Sequence, residues 1–158
     1  MSRIIAGVAG GSTLSSVPGS GTRPTTDRVK EALFSRLESY GILDGAYVLD
    51  LFAGSGSLGV ESASRGAARV DLVELAEKAA QVCRGNASLV NKILGSERVR
   101  VHRTKAESYL LRVPPGLVWD LVFLDPPYPL EEEGLSAVLE ALSPRLADGA
   151  VVVVERST

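Results

Sequence analysis

With 158 residues, 45% of them hydrophobic and 23% charged, the chain can build one cored domain and is not a disordered sequence. No apolar run approaches the roughly 20 residues needed to cross a bilayer. A single cysteine (Cys83) and a single histidine (His102) exclude a disulfide framework and a Cys/His zinc site, so no metal is expected. Ile4–Ala9 is too short for a signal-peptide core and leads into glycines, so the expected compartment is the cytoplasm and the expected state a monomer. The formal net charge of −2 does not mark a nucleic-acid binder, yet it is unevenly spread. Residues 1–40 hold five Lys/Arg against three acids, and the remainder twelve against sixteen. A mildly basic arm on an acidic body suits a protein that meets phosphates with one edge only.

In chain order, Arg3–Val8 reads as a short strand. Gly10–Gly21, rich in Gly, Ser, Thr and Pro, reads as a loop or mobile arm with nothing in it to build a core. Thr25, Thr26 and Asp27 are N-cap candidates for a helix. Val29, Leu33, Phe34 and Leu37 mark its inner face, leaving Arg28, Lys30 and Glu31 outside. From Tyr47 onward strands and helices alternate. Strands are expected at Tyr47–Phe52, Val70–Glu74, Arg98–His102, Trp119–Leu124 and Ala150–Val154. Helices are expected at Leu58–Arg65, Ala76–Val90 (with Cys83 as a small core residue) and Ala106–Leu111. A last one carries Leu135, Val138, Leu139 and Leu142 on one face.

Such alternation predicts an α/β fold with a mostly parallel sheet, helices on both faces and right-handed crossovers. No internal repeat or long linker divides it. In strand order 3-2-1-4-5 the first and fourth strands of the alternation are neighbours, and ligands bind outside the carboxyl ends of such strands. The first ends in Asp50-Leu-Phe-Ala-Gly-Ser-Gly56, where Gly54 and Gly56 let a ligand approach the backbone. Glu74 ends the second strand 20 residues after Gly54, where a carboxylate can take both hydroxyls of a ribose. Gly54-Ser-Gly-Ser-Leu-Gly59 also fits the dinucleotide fingerprint, so a nicotinamide enzyme competes on this half of the chain. Asp50 weighs against it: a carboxylate at the turn repels a pyrophosphate and suits a cationic ligand such as S-adenosylmethionine.

The fourth strand runs into Asp125-Pro126-Pro127-Tyr128. Neither proline can donate to a sheet ladder, so the strand stops there. The turn presents a carboxylate, the Pro126 carbonyl and an aromatic ring. Two acceptors and a stacking face can grip a planar molecule through its NH2 group and keep the nitrogen lone pair aimed at an electrophile.

DLFAGSG (Asp50–Gly56), the acidic strand end Glu74 and DPPY (Asp125–Tyr128) resemble the class I S-adenosylmethionine-dependent methyltransferases that act on exocyclic amino groups. RIIAG (Arg3–Gly7) and RPTTDRVKEALF (Arg23–Phe34) resemble the RsmD family in particular, and the likeness covers nearly the whole chain. The resemblance implies a Rossmann-like domain over residues 41–158, preceded by an extension over residues 1–40 on the RNA and cofactor side. It also implies methylation of guanine N2 in 16S ribosomal RNA, free or within a small-subunit particle. Asp50, Phe52, Gly54, Gly56 and Glu74 would hold the cofactor, with Asp125 beside it. Asp125, Pro126 and Tyr128 would act on the amino group. Arg23, Thr25, Thr26, Asp27, Arg28 and Pro127 would line the mouth with Tyr128. Relatives usually continue past the fifth strand with a strand pair that completes the sheet, whereas this sequence stops at Thr158, just after that strand. Adenine N6 in DNA, a protein amide, or a non-catalytic binding module are the alternatives.

Overall fold

The structure, a computed structural model, describes residues 2–18, 26–126 and 132–154. Two short strands, β1 (Ser2–Arg3) and β2 (Thr13–Leu14), pair antiparallel, and α1 (Asp27–Ser39) follows. The alternation is then β3 (Tyr47–Leu51), α2 (Ser57–Ser64), β4 (Arg69–Val73), α3 (Glu77–Leu94), β5 (Val99–His102), α4 (Ala106–Arg112), β6 (Trp119–Leu124) and α5 (Glu132–Leu142). A 3-10 turn (Ser143–Arg145) leads into β7 (Leu146–Val154). The five later strands form one sheet in the order β5-β4-β3-β6-β7, every neighbouring pair parallel. This is the expected 3-2-1-4-5 arrangement. Among the described residues no helix is long and apolar enough to cross a membrane.

Period-two alternation along each strand divides the side chains between two apolar layers. Val48, Val70, Leu72, Leu121 and Phe123 pack under α1, α2 and α3; Leu49, Leu51, Val73, Val122 and Leu124 pack under α4 and α5. Strands covered on both faces read as continuous apolar runs, which is why their positions were legible. Leu139 is the exception in α5: it is exposed.

Three expectations near the N-terminus are corrected. The strand expected at Arg3–Val8 shrinks to Ser2–Arg3, and the chain turns back through residues 6–10. The arm expected to lack core residues supplies Leu14, which is 1% exposed, because β1–β2 pairing brings it into the core cluster that also holds Phe34, Val60 and Cys83. In α1, Val29 faces solvent and Lys30 faces inward, fully buried. Lys30 goes in because its stem is apolar and its ammonium has partners: it donates to the Arg3 carbonyl at 2.6 Å and pairs with Glu61 at 3.3 Å.

Glu61 in α2 is the hub of that junction. Its carboxylate accepts from the backbone of Ile5 (2.8 Å) and Ala6 (3.1 Å) and from Arg65 (2.8 Å), so every side of the charge is bonded. Arg65 also reaches Glu38 and stacks over the Phe34 ring. On the opposite face, Asp71 accepts from His102, Arg69 and the Trp119 indole. Burial pushes the Asp71 carboxyl up, but those three bonds outweigh it and hold it below the usual range.

Candidate functional site

The crevice forms where β3, β4 and β6 end. After Leu51 the backbone reverses at Phe52, whose φ of 60° is rare for a residue with a side chain and marks a strained turn held by its surroundings. Ala53 then donates to the Val73 carbonyl (3.0 Å) and Gly56 to the Ala53 carbonyl (2.8 Å). Gly54 and Gly56 both take left-handed φ, 61° and 81°. A side chain on Gly54 would meet nothing within 4 Å, so this backbone faces open space where a ligand can lie.

Glu74 is fixed by two backbone donors, Gly54 N–H at 2.8 Å and Ala76 N–H at 3.0 Å. One bond per oxygen leaves lone pairs for two hydroxyl donors, the capacity a ribose diol needs. Asp50 lies one layer deeper and is buried, with Oδ2 accepting from Gly59 N–H at 3.2 Å. Burial holds its carboxyl well above the usual range; the Gly59 bond opposes this, while the negative charges of Asp125 and Glu74 add to it. Three carboxylates thus share one electrostatic neighbourhood at the open end of adjacent strands. A cation is the ligand such a field favours.

Asp125 follows β6 directly, beside β3 in register (Leu51 opposite Leu124), and is exposed; Pro126 is half-buried behind it. Pro127, Tyr128, Arg23 and Thr25 lie outside the described residues. Thr26 is the N-cap of α1, its hydroxyl accepting from Val29 N–H at 3.2 Å. Asp27 pairs with Arg3 at 2.8 Å, and Arg28 is exposed. The structure therefore brings together Asp50, Phe52, Gly54, Gly56, Glu74 and Asp125. Thr26 and Asp27 have bonds within the N-terminal segment.

Two residues that support the turn were not singled out for it from sequence. The buried Cys83 thiol donates to the Gly54 carbonyl at 3.0 Å; burial raises its pKa, so it stays a neutral donor. Asn86 in α3 donates to the Ser55 carbonyl at 2.8 Å. An asparagine in the middle of a buried helix face is unfavourable for the helix, and that mismatch is the one sequence signal pointing to it. A separate cavity of about 220 Å³ beside α4, bordered by Arg69, His102 and Tyr109, contains none of the crevice residues.

A family model described as Conserved hypothetical protein 95 matches residues 2–158. The chain is 39% identical to the putative rRNA methyltransferase YlbH of Bacillus subtilis, over 87% of this chain and 71% of that protein. It is 37% identical to ribosomal RNA small subunit methyltransferase D of Escherichia coli, over 97% of this chain and 73% of that one. Among solved structures, the putative methyltransferase yhhF from Escherichia coli superposes with a TM-score of 0.77 at 36% identity, covering 96% of this chain and 78% of the other.

Proposed function

The chain belongs to the RsmD family of small-subunit rRNA methyltransferases, and from that premise we propose that it methylates the exocyclic N2 amino group of a guanine in 16S ribosomal RNA. S-adenosylmethionine, when bound, supplies the methyl group as an electrophile on a sulfonium. The crevice fits such a molecule: Glu74 offers acceptors for a ribose, the Gly54 backbone leaves it room, and the carboxylates of Asp50, Glu74 and Asp125 favour its positive charge.

The chain's own part is positioning. The Asp125 carboxylate and the Pro126 carbonyl accept the two N–H bonds of the guanine amino group, which turns the nitrogen lone pair toward the methyl. Transfer of the methyl group to the amino nitrogen would leave positive charge on that nitrogen. The same two acceptors stabilise that charge, and the surplus proton leaves through Asp125 to water. The target base has to leave its stack, at a cost of a few kcal/mol, and stacking on Tyr128 offsets part of it. No metal or covalent enzyme intermediate enters the scheme.

The placement of Asp125 carries this reading: an exposed carboxylate at the end of β6, one strand from the Asp50–Gly54–Glu74 cluster. The test uses methyl-labelled S-adenosylmethionine and small ribosomal subunits lacking the modification, followed by digestion of the RNA to nucleosides. Label in N2-methylguanosine, reduced roughly 10²–10³-fold by Asp125→Ala, is the expected result, that being the scale for losing one preorganised polar group. Label in another nucleoside or in protein overturns the guanine assignment.

A further inference from the structure

Two of the five cations in residues 1–40 are committed to partners within the protein. Arg3 is paired with Asp27, and Lys30 is fully buried against Glu61. The cations concentrate elsewhere. From the first residue of α3 to Lys105, residues 77–105 hold seven Lys/Arg against two acids, leaving ten against seventeen in the rest of the chain. Six of those seven are exposed, Arg98 being half-buried.

Three of them meet at one edge of the sheet, because β5 is the outermost strand at that end and α3 packs against it. Between the two runs an open groove of about 850 Å³. Arg84 and Lys92 of α3 and Arg100 of β5 border it, with Ser88 and Asn91 as neutral polar neighbours and Glu97 as its one acid. Arg84 and Lys92, eight residues apart on a helix, lie about 12 Å from each other along its axis, room for several successive phosphates. At the crevice end Arg103 donates to the Leu75 carbonyl at 3.4 Å, next to Glu74, so the positive strip reaches the cofactor side of the site.

The edge of β5 is also guarded against another strand. The Asn91 carboxamide takes both the N–H and the C=O of Val99, each at 2.9 Å, where a pairing strand would bind. What this surface offers is guanidinium and ammonium groups rather than backbone.

We infer that the α3–β5 edge is a track for the phosphate backbone of the substrate RNA, leading to the crevice past Arg103. The inference rests on the reading of the protein as an rRNA methyltransferase. Each cation that neutralises a phosphate releases condensed counterions, so the track carries a salt signature.

The experiment measures affinity for unmodified 16S rRNA, and for small subunits containing it, across a potassium chloride series. Wild type is compared with the triple variant Arg84→Gln, Lys92→Gln, Arg100→Gln. The variant should lose about 2 from the slope of log affinity against log salt, at ~0.7 per contact to single-stranded RNA. S-adenosylmethionine affinity and melting temperature should stay at wild-type values. Replacing two exposed cations on other faces, Arg36→Gln with Arg112→Gln, should leave the slope unchanged. An unaltered slope in the triple variant overturns the track, even where the wild type methylates rRNA normally. So does a loss confined to particles with naked rRNA bound as before, which assigns the edge to a ribosomal protein. A slope lost as expected, in a protein that transfers no methyl to RNA, keeps the track and overturns the catalytic reading. A wild type that binds no RNA overturns both.

Discussion

Asn86 holds Ser15 and Ser55 together: its carboxamide donates to both carbonyls, at 3.0 and 2.8 Å, and accepts from Ser15 N–H at 2.9 Å. Ser15 belongs to the N-terminal segment and Ser55 to the glycine turn of the crevice. One buried side chain on α3 therefore fixes the distance between the arm and the cofactor side of the site. Asn86→Ala leaves three part-buried backbone groups without that partner, a loss of about 0.5–1.5 kcal/mol per hydrogen bond. We expect a lower melting temperature and weaker S-adenosylmethionine binding together, read by thermal unfolding and titration calorimetry. Asn86→Asp should be as harmful, because a carboxylate cannot donate to either carbonyl. Destabilisation with unchanged cofactor affinity would reduce Asn86 to a packing role.

The buried pair Lys30–Glu61 should respond asymmetrically. Glu61→Gln removes the counter-charge from a lysine that has no exposure, and burial already pulls the Lys30 pKa down against the opposing pull of Glu61. Breaking a buried pair from one side costs about 3–5 kcal/mol. Lys30→Met keeps the apolar stem, and Glu61 retains Arg65 and two backbone donors. Its cost should be clearly smaller. Denaturant unfolding of the two variants checks the order, and equal losses would contradict the account.

Asp50 should oppose folding at neutral pH. Its folded-state carboxyl lies well above the ordinary value, so between the unfolded and folded pKa values the folded protein binds more protons. Stability then falls as pH rises through that window. Asp50→Asn removes the dependence and keeps an oxygen for Gly59 N–H. The variant should melt higher than wild type at pH 7, by roughly 2–4 °C for each kcal/mol recovered, and should converge with it toward pH 4. Its affinity for the cationic cofactor should drop, since an acid that the bound positive charge would favour in its ionised form is gone. Melting curves at several pH values decide, and a variant less stable at pH 7 than at pH 4 relative to wild type counts against it.

These cases show what a sequence can and cannot reveal. The strands and the crevice residues were legible because burial on both faces writes continuous apolar runs, and because Asp50, Gly54, Glu74 and Asp125 sit at strand ends whose order follows from topology. Lys30 was placed outside because hydropathy cannot see a partner, and Glu61 lies on another helix. Leu14 was discounted because the Gly/Ser composition around it reads as loop, whereas its burial depends on β1–β2 pairing. Asn86 escaped for a related reason. Its partners are backbone carbonyls 31 and 71 residues away, and a carbonyl has no sequence signature. The basic α3–β5 edge was diluted in the charge count of an acidic body and emerged only once the sheet order put β5 outermost.

The glycines of the turn separate a ligand-facing backbone from a packing requirement. A Cβ on Gly59 would lie 2.2 Å from Leu72 Cδ2 and 3.0 Å from Val70 Cγ1, both in the core layer under α2, with Asp50 Oδ2 at 3.4 Å. Gly59→Ala has to push the helix off the sheet, an overpacking cost of typically 1–3 kcal/mol, and shifts the Gly59 N–H away from Asp50. Gly54→Ala meets no atom within 4 Å; its cost is the left-handed φ alone, about 1–2 kcal/mol. Yet that empty space is where the proposed cofactor lies, so the methyl group should cost binding out of proportion to stability. The expected pattern is a small stability loss with at least tenfold weaker S-adenosylmethionine binding for Gly54→Ala. For Gly59→Ala it is a larger stability loss, with binding reduced only as far as the turn is displaced. Chemical denaturation and calorimetric titration on both variants give the comparison, and tight cofactor binding by Gly54→Ala would move the cofactor away from this turn.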